Sequence, residues 1–234
     1  MNIESFCNHF NHMFPPDKIA KPNLLYGIKF TRRFFDPCPN VPGMASIKKQ
    51  KLLNLAFSCL EKDESYLEIG TYLGKSLISA MLGNTPHPVF ACDNFSEFGP
   101  VNSYEKLMHN LRTYGLIEKV IFFNDNFLNI LTPTKITNSP GLYFYDGAHD
   151  ETSQYNGIKY VEPLLADEAI VVVDDWRFAP DSQSYAKVGT QKAVAESSNH
   201  WQLLYELPAR YNSDSTLWWN GIAVYGFNRS NHGP

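Results

Sequence analysis

The chain has 234 residues, 44% of them hydrophobic and 14% aromatic, with a formal net charge of -4 and no run of lysine or arginine. That much apolar material supports a buried core and excludes a disordered chain, and the charge argues against a nucleic-acid backbone as partner. Four scattered cysteines (Cys7, Cys38, Cys59, Cys92) without a C-x-x-C spacing, and no leader pattern or apolar run of bilayer length, predict a cytoplasmic protein with idle thiols and no membrane segment.

The first 45 residues are rich in proline and aromatics (Phe10, Phe14, Pro15, Pro16, Phe34, Phe35, Pro37, Pro39, Pro42) and lack sustained periodicity. They read as a helical or irregular appendage, 1–45, that packs on or lids a main domain, 46–234. From Ser46 the pattern is helical, with Leu52, Leu53, Ala56 and Leu60 on one face. Strands are predicted at Tyr66–Ile69, Val89–Cys92, Val120–Phe123, Leu142–Tyr145 and Ile170–Val173. Helical stretches separate them: one carries Leu77, Ile78, Met81 and Leu82, and another Tyr104, Leu107, Met108 and Leu111. Two more cover about Tyr155–Leu165 and Tyr185–Ser197. Continuous apolar strands alternating with amphipathic helices predict a doubly wound α/β fold with a mostly parallel sheet. The last two strand-like runs, Trp201–Leu207 and Gly221–Phe227, are joined by a loop too short for a crossover helix and should form an antiparallel hairpin.

The segment Glu68-Ile-Gly70-Thr71-Tyr72-Leu-Gly74-Lys-Ser76 ends a strand and opens a helix. Its glycines let backbone N–H groups and a helix N-terminus approach a ligand closely, and the carboxylate beside them favours a ligand with a cationic part. Acidic residues recur at strand carboxyl ends: Glu68, Asp93 followed by Asn94, Asp125, Asp146 and the Asp174-Asp175 pair. That edge is where open parallel sheets bind ligands. Each acid alone is accounted for as a helix cap. Together they would repel unless a cation sits among them. The wide glycine spacing does not match the G-x-G-x-x-G of a nicotinamide dehydrogenase.

The ordered set Glu68…Gly70…Gly74-Lys-Ser76, Asp93, Asn124-Asp125, Asp146-Gly-Ala-His149, Asp174-Asp175-Trp176 resembles class I S-adenosylmethionine-dependent methyltransferases. More narrowly it is similar to the metal-dependent catechol and macrocin O-methyltransferase-like group, over roughly 46–228. The resemblance implies a Rossmann-like, seven-stranded sheet and S-adenosyl-L-methionine as cofactor. It assigns Glu68 and the Gly70–Gly74 loop, with Thr71 and Tyr72, to the methionine part, and Ser76 to the cofactor carboxylate. Asp93 falls to the ribose, Asn94 counts among the cofactor-binding residues, and Asp125 falls to the adenine amino group with Phe95 or Phe127 stacking. Asp146 is counted both with the cofactor-binding residues and, beside His149, with the catalytic ones.

The resemblance also implies that Asp146, Asp174 and Asp175 hold Mg²⁺ or another divalent cation, which suits hard oxygen donors. Catechol enzymes carry Asp-Asn where this chain has Asp174-Asp175, which tilts the acceptor toward a sugar or secondary metabolite. His149 stands where those enzymes place a catalytic lysine, so it is a candidate base, with an outer-shell partner of the carboxylates as its other reading. Trp176, Phe178, Tyr211, Trp218 and Trp219 are candidates for the acceptor wall, and Arg32, Arg33, Arg177 and Arg210 for gripping an anionic acceptor. The expected partner is a small-molecule acceptor, with a homo-oligomer left open. Competing readings are a non-catalytic cofactor-binding member of the fold and a metal-independent methyltransferase using His149.

Overall fold

The structure, a computed structural model, describes residues 1–21, 36–97, 102–177 and 184–230. Phe34, Phe35, Arg32, Arg33 and Phe178, singled out above, lie outside the described residues. The strands are β1 (Ser65–Ile69), β2 (Val89–Cys92), β3 (Val120–Phe123), β4 (Pro140–Tyr145), β5 (Glu168–Val173), β6 (His200–Leu207) and β7 (Ile222–Asn228). They form one sheet in the order β3-β2-β1-β4-β5-β7-β6. The first five run parallel, and β7 inserts antiparallel between β5 and β6. This is the expected fold class, and each strand falls where its apolar run predicts, with ends shifted by one or two residues.

The helices are α1 (Ile3–Met13), α2 (Pro16–Ile19), α3 (Ile47–Ser58), α4 (Lys75–Met81), α5 (Ser103–Thr113), α6 (Phe127–Ile130), α7 (Glu151–Val161) and α8 (Tyr185–Ala195). Side chains alternate along the strands, so each strand feeds two cores. Tyr66, Val89, Leu142, Phe144, Ile170, Val172 and Val224 pack with α1, α3, α4 and α5. Leu67, Ile69, Phe90, Tyr143, Tyr145, Val171 and Val173 pack with α6, α7 and α8. Helix α7 starts earlier than its apolar pattern indicates because Asp150 caps it, accepting the Ser153 N–H at 2.9 Å.

Asn2 caps α1 by accepting the Ser5 N–H at 2.7 Å. Phe6, Phe10 and Phe14 recur at helical spacing and are buried in the first core. Ring centroids of Phe10 and Tyr205 lie 4.0 Å apart, and those of Phe14 and Trp218 lie 4.9 Å apart. The N-terminal helix thus fastens onto the C-terminal hairpin, through aromatic area that is costly to leave in water.

Candidate active site

Strand register aligns the carboxyl ends. Ile69 pairs with both Cys92 and Tyr145, and Tyr145 pairs with Val173. The next residues, Gly70, Asp93, Asp146 and Asp174, therefore stand side by side along one edge. A cavity of about 440 Å³ opens there. Gly70, Thr71, Tyr72, Ser76, Asp93, Asn94, Asp125, Asp146, His149, Asp174 and Asp175 all line it. Gly74 sits just behind, as the left-handed residue that opens α4.

Gly70 has φ +87°, and a Cβ there would lie 1.8 Å from the Asp146 carbonyl oxygen. No other residue type fits. The Asp93 carboxylate is oriented by backbone N–H groups of Tyr72 and Phe95, each donating at 2.7 Å. Each oxygen keeps a second lone pair for a ligand hydroxyl. Burial raises the Asp93 pKa, and those two donors oppose the rise. Asp125 is exposed at the mouth, where Asn129 and the Asn126 N–H bond its Oδ1. The Asn94 Oδ1 accepts from Ser96. Phe95 and Phe127 also line the cavity, each half-buried against the core.

Two expected contacts take a different form. Glu68 does not line the cavity; it is fully buried, because β1 alternation turns residues 66 and 68 toward α3 and α4. Its Oε1 accepts from the Ser76 hydroxyl at 2.9 Å and its Oε2 from the Tyr66 hydroxyl. Burial pushes its pKa up to about 7, against these hydrogen bonds. Ser76 has one hydroxyl hydrogen, and Glu68 holds it, so Ser76 has none left to donate to a ligand carboxylate. Glu68 supports the glycine loop from behind.

The acidic cluster contains a cation that sequence patterning did not single out. Lys49, in the first turn of α3, donates from Nζ to Asp146 Oδ2 at 3.0 Å, to Asp174 Oδ2, and to the Met44 carbonyl at 3.2 Å. Burial pulls the Lys49 pKa down, and Asp146 and Asp174 outweigh it, leaving the ammonium more basic than an ordinary lysine. Burial raises both Asp146 and Asp174, with Lys49 opposing. Asp175, held at φ +55°, pairs with His149 Nδ1 at 2.5 Å and accepts from Asn220 Nδ2 at 2.6 Å. His149 Nε2 lies 3.4 Å from Glu97 Oε2. The close Asp175 carboxylate, working against burial, pushes His149 up to about 9. At neutral pH in this arrangement His149 is an imidazolium, a donor without the lone pair a base needs.

Of the proposed acceptor wall, Trp219 and Arg177 line the cavity. Trp176 and Trp218 are fully buried and point elsewhere. The Trp176 Nε1 donates to Glu206 at 2.8 Å and that of Trp218 to the Ile19 carbonyl at 2.9 Å. Their indoles belong to the two cores, which is the default for so much apolar area. Tyr211 is exposed, and Arg210 pairs with Asp214 at 2.9 Å.

Three solved structures share this fold. The cofactor-bound Rv0187 protein from MTB aligns with TM-score 0.58 and 20% identity over 86% of this chain and 89% of its own. TomG, an O-methyltransferase of tomaymycin synthesis from Streptomyces achromogenes in complex with SAM, gives 0.56 and 19% over 97% and 99%. An O-methyltransferase from Bacillus cereus in complex with SAH gives 0.54 and 12% over 96% and 91%. No match was found among curated proteins. Residues 67–176 match the family model described as a methyltransferase domain. Over that stretch the chain matches a methyltransferase domain, within the fold that these structures share.

The cavity fits the expected cofactor in two respects: Gly70 leaves room for a ligand against bare backbone, and the Thr71 hydroxyl is buried without a partner. A divalent ion fits less well. Asp146, Asp174 and Asp175 do converge, and three carboxylates are the right donors. However, Lys49 bonds the Oδ2 atoms of the first two, and His149 and Asn220 hold both oxygens of the third. Among the described residues no group of three His, Cys, Asp or Glu side chains is arranged to hold a metal ion.

Proposed function

We propose that this methyltransferase transfers a methyl group from S-adenosyl-L-methionine to a hydroxyl of a small metabolite, such as a sugar or secondary metabolite. When bound, the cofactor supplies an electrophilic methyl group on a sulfonium. One observation carries the reading: the glycine loop and Asp93 share a single cavity with the Asp146–Asp174–Asp175 cluster. Donor and acceptor sites thus adjoin without intervening protein.

Each residue has a role that its surroundings support. The Gly70–Ser76 turn receives the amino-acid end of the cofactor, its backbone approaching where side chains cannot. Asp93 accepts from the ribose hydroxyls and Asp125 from the adenine amino group, with Phe95 and Phe127 beside the ring. Asp146 faces the acceptor and takes its hydroxyl proton, since burial makes it more basic than a free carboxylate. His149 and Arg177 act as donors that orient the acceptor oxygen and any anionic group near it. No step in this reading runs through a divalent ion.

No described helix is long and apolar enough to cross a membrane, and all four cysteines are free. Free thiols suit the proposed reducing, cytoplasmic setting, and a cavity of about 440 Å³ suits a small-molecule acceptor. The decisive experiment pairs calorimetric titration of S-adenosylhomocysteine with methyl transfer from labelled donor to a panel of hydroxylated acceptors. Binding with turnover supports the proposal. Binding without turnover on a broad panel would favour a non-catalytic cofactor binder, and absence of binding would refute both.

A further inference from the structure

We propose that Lys49 is the resident cation of the acidic cluster, standing in place of a divalent ion, so that the pocket works metal-free. The inference deepens the methyl-transfer reading and rests on it for the cluster's role.

Three observations carry it. The Lys49 side chain is 1% exposed, and its three ammonium hydrogens are spent on Asp146, Asp174 and the Met44 carbonyl. An ion bridging the Oδ2 atoms of Asp146 and Asp174 at the usual ~2.1 Å would need the space that the ammonium fills. Ammonium and metal are therefore alternatives. The remaining oxygens make a poor second site: those of Asp175 face His149 and Asn220, which leaves one oxygen of Asp146 and the buried, unpartnered Oδ1 of Asp174. Two oxygens beside a fixed ammonium fall well short of the roughly six oxygen ligands such an ion takes.

The position of the lysine is also costly unless its charge is used. Ser46 caps α3 by accepting the Lys49 N–H at 3.1 Å, so Lys49 sits in the first helical turn, where the macrodipole disfavours a cation. Its stem passes the Phe144 ring, with Nζ 5.3 Å from the centroid. A buried ammonium at a helix N-terminus is stable only because the carboxylates face it. Lys49 is thus a positioning residue that holds Asp146 in the orientation the acceptor meets, and it does not itself touch substrate.

The test is a Mn²⁺ titration followed by electron paramagnetic resonance. Wild-type protein should leave the free Mn²⁺ signal undiminished up to about 1 mM, the range of the weakest protein calcium sites. Its melting temperature and turnover should be unchanged by a chelator. Lys49→Met should uncover the carboxylates and bind Mn²⁺ at least about tenfold more tightly than wild type. If that variant does not fold, Lys49→Arg keeps the charge and should stay Mn²⁺-free. Stoichiometric Mn²⁺ binding by wild type, by Lys49→Arg, or none by a folded Lys49→Met, would overturn the proposal. S-adenosylhomocysteine titration of the same samples reports separately on the methyltransferase reading, so the two can fail independently.

Discussion

Replacing Gly70 with alanine tests the packing that builds the cavity. The substitution has two costs. Alanine at φ +87° is disfavoured by about 1–2 kcal/mol from backbone sterics alone. The new Cβ would also lie 1.8 Å from the Asp146 carbonyl oxygen, where side-chain carbons in real structures stay beyond 3.0 Å. The 146–147 peptide must retreat by about 1 Å. That peptide follows the Asp146 N–H, which donates to the Ile69 carbonyl at 2.8 Å, and losing this bond costs a further 0.5–1.5 kcal/mol, roughly. With the strain of the shifted strand end, the total comes to about 3–5 kcal/mol. Gly83 provides the control: its φ is +76°, and a Cβ there meets nothing within 4 Å. Gly83→Ala should therefore show only the backbone term. In thermal melts at this chain length, Gly83→Ala should lose about 2–6 °C and Gly70→Ala about 8–15 °C. Because Asp146 moves with its peptide, turnover of Gly70→Ala should also fall by roughly 100-fold. Equal melting temperatures for the two variants, with full activity in Gly70→Ala, would refute the close approach of β1 and β4.

Asp93→Ala should weaken S-adenosylhomocysteine binding by about 10- to 100-fold, measured by calorimetry, since it removes charged acceptors for two hydroxyls; unchanged affinity would remove Asp93 from the ribose site. The His149 pair makes stability pH-dependent. A histidine raised from 6.5 to about 9 contributes stability that is full below pH 6.5 and lost as pH climbs through 9. The shift corresponds to ~3.4 kcal/mol unscreened, but the imidazole is 40% exposed, so about 1 kcal/mol is expected. Melting temperature should drop by about 3 °C between pH 6.5 and 9.5, and His149→Ala should flatten the profile; the same slope in the variant would assign it to other groups. Trp218→Phe removes one of two donors to the Ile19 carbonyl, Lys48 Nζ staying at 3.2 Å, and should cost ~1 kcal/mol with unchanged ligand affinity. A raised acceptor KM with normal melting would return Trp218 to the pocket wall.

The sheet was legible because its strands are buried on both faces, and such strands read as unbroken apolar runs. Acids at strand ends were legible for a related reason: with register fixed, each falls one residue past a recognisable run. Side-chain direction was harder to read. Glu68 belongs to the glycine motif in sequence, yet period-two alternation turns it away from the cavity, together with Tyr66. Trp176 follows Asp175 directly but faces the opposite layer, because Trp176 N–H bonds the Gly221 carbonyl. Lys49 was hidden for a different reason. In Lys48-Lys49-Gln50-Lys51 it looks like one of several solvated charges. A faint signal existed, since Ser46 marks a helix start and a first turn without acids is a poor place for lysines. Only the tertiary fold shows that this turn lies over the carboxyl edge.

The insertion of β7 between β5 and β6 divides construction of the pocket between two regions of the chain. Residues between Gly70 and Asp125 line one side of the cavity, whereas Trp219 and Asn220 arrive from the 208–221 turn of the hairpin. That turn is clamped by Trp176 and Arg177 N–H groups donating to the Gly221 and Asn220 carbonyls. On the proposed methyl-transfer reading, exchanging the tip of the hairpin while leaving the clamp intact would retune which alcohol is admitted without rebuilding the opposite half, a modular route by which one scaffold can diversify its repertoire.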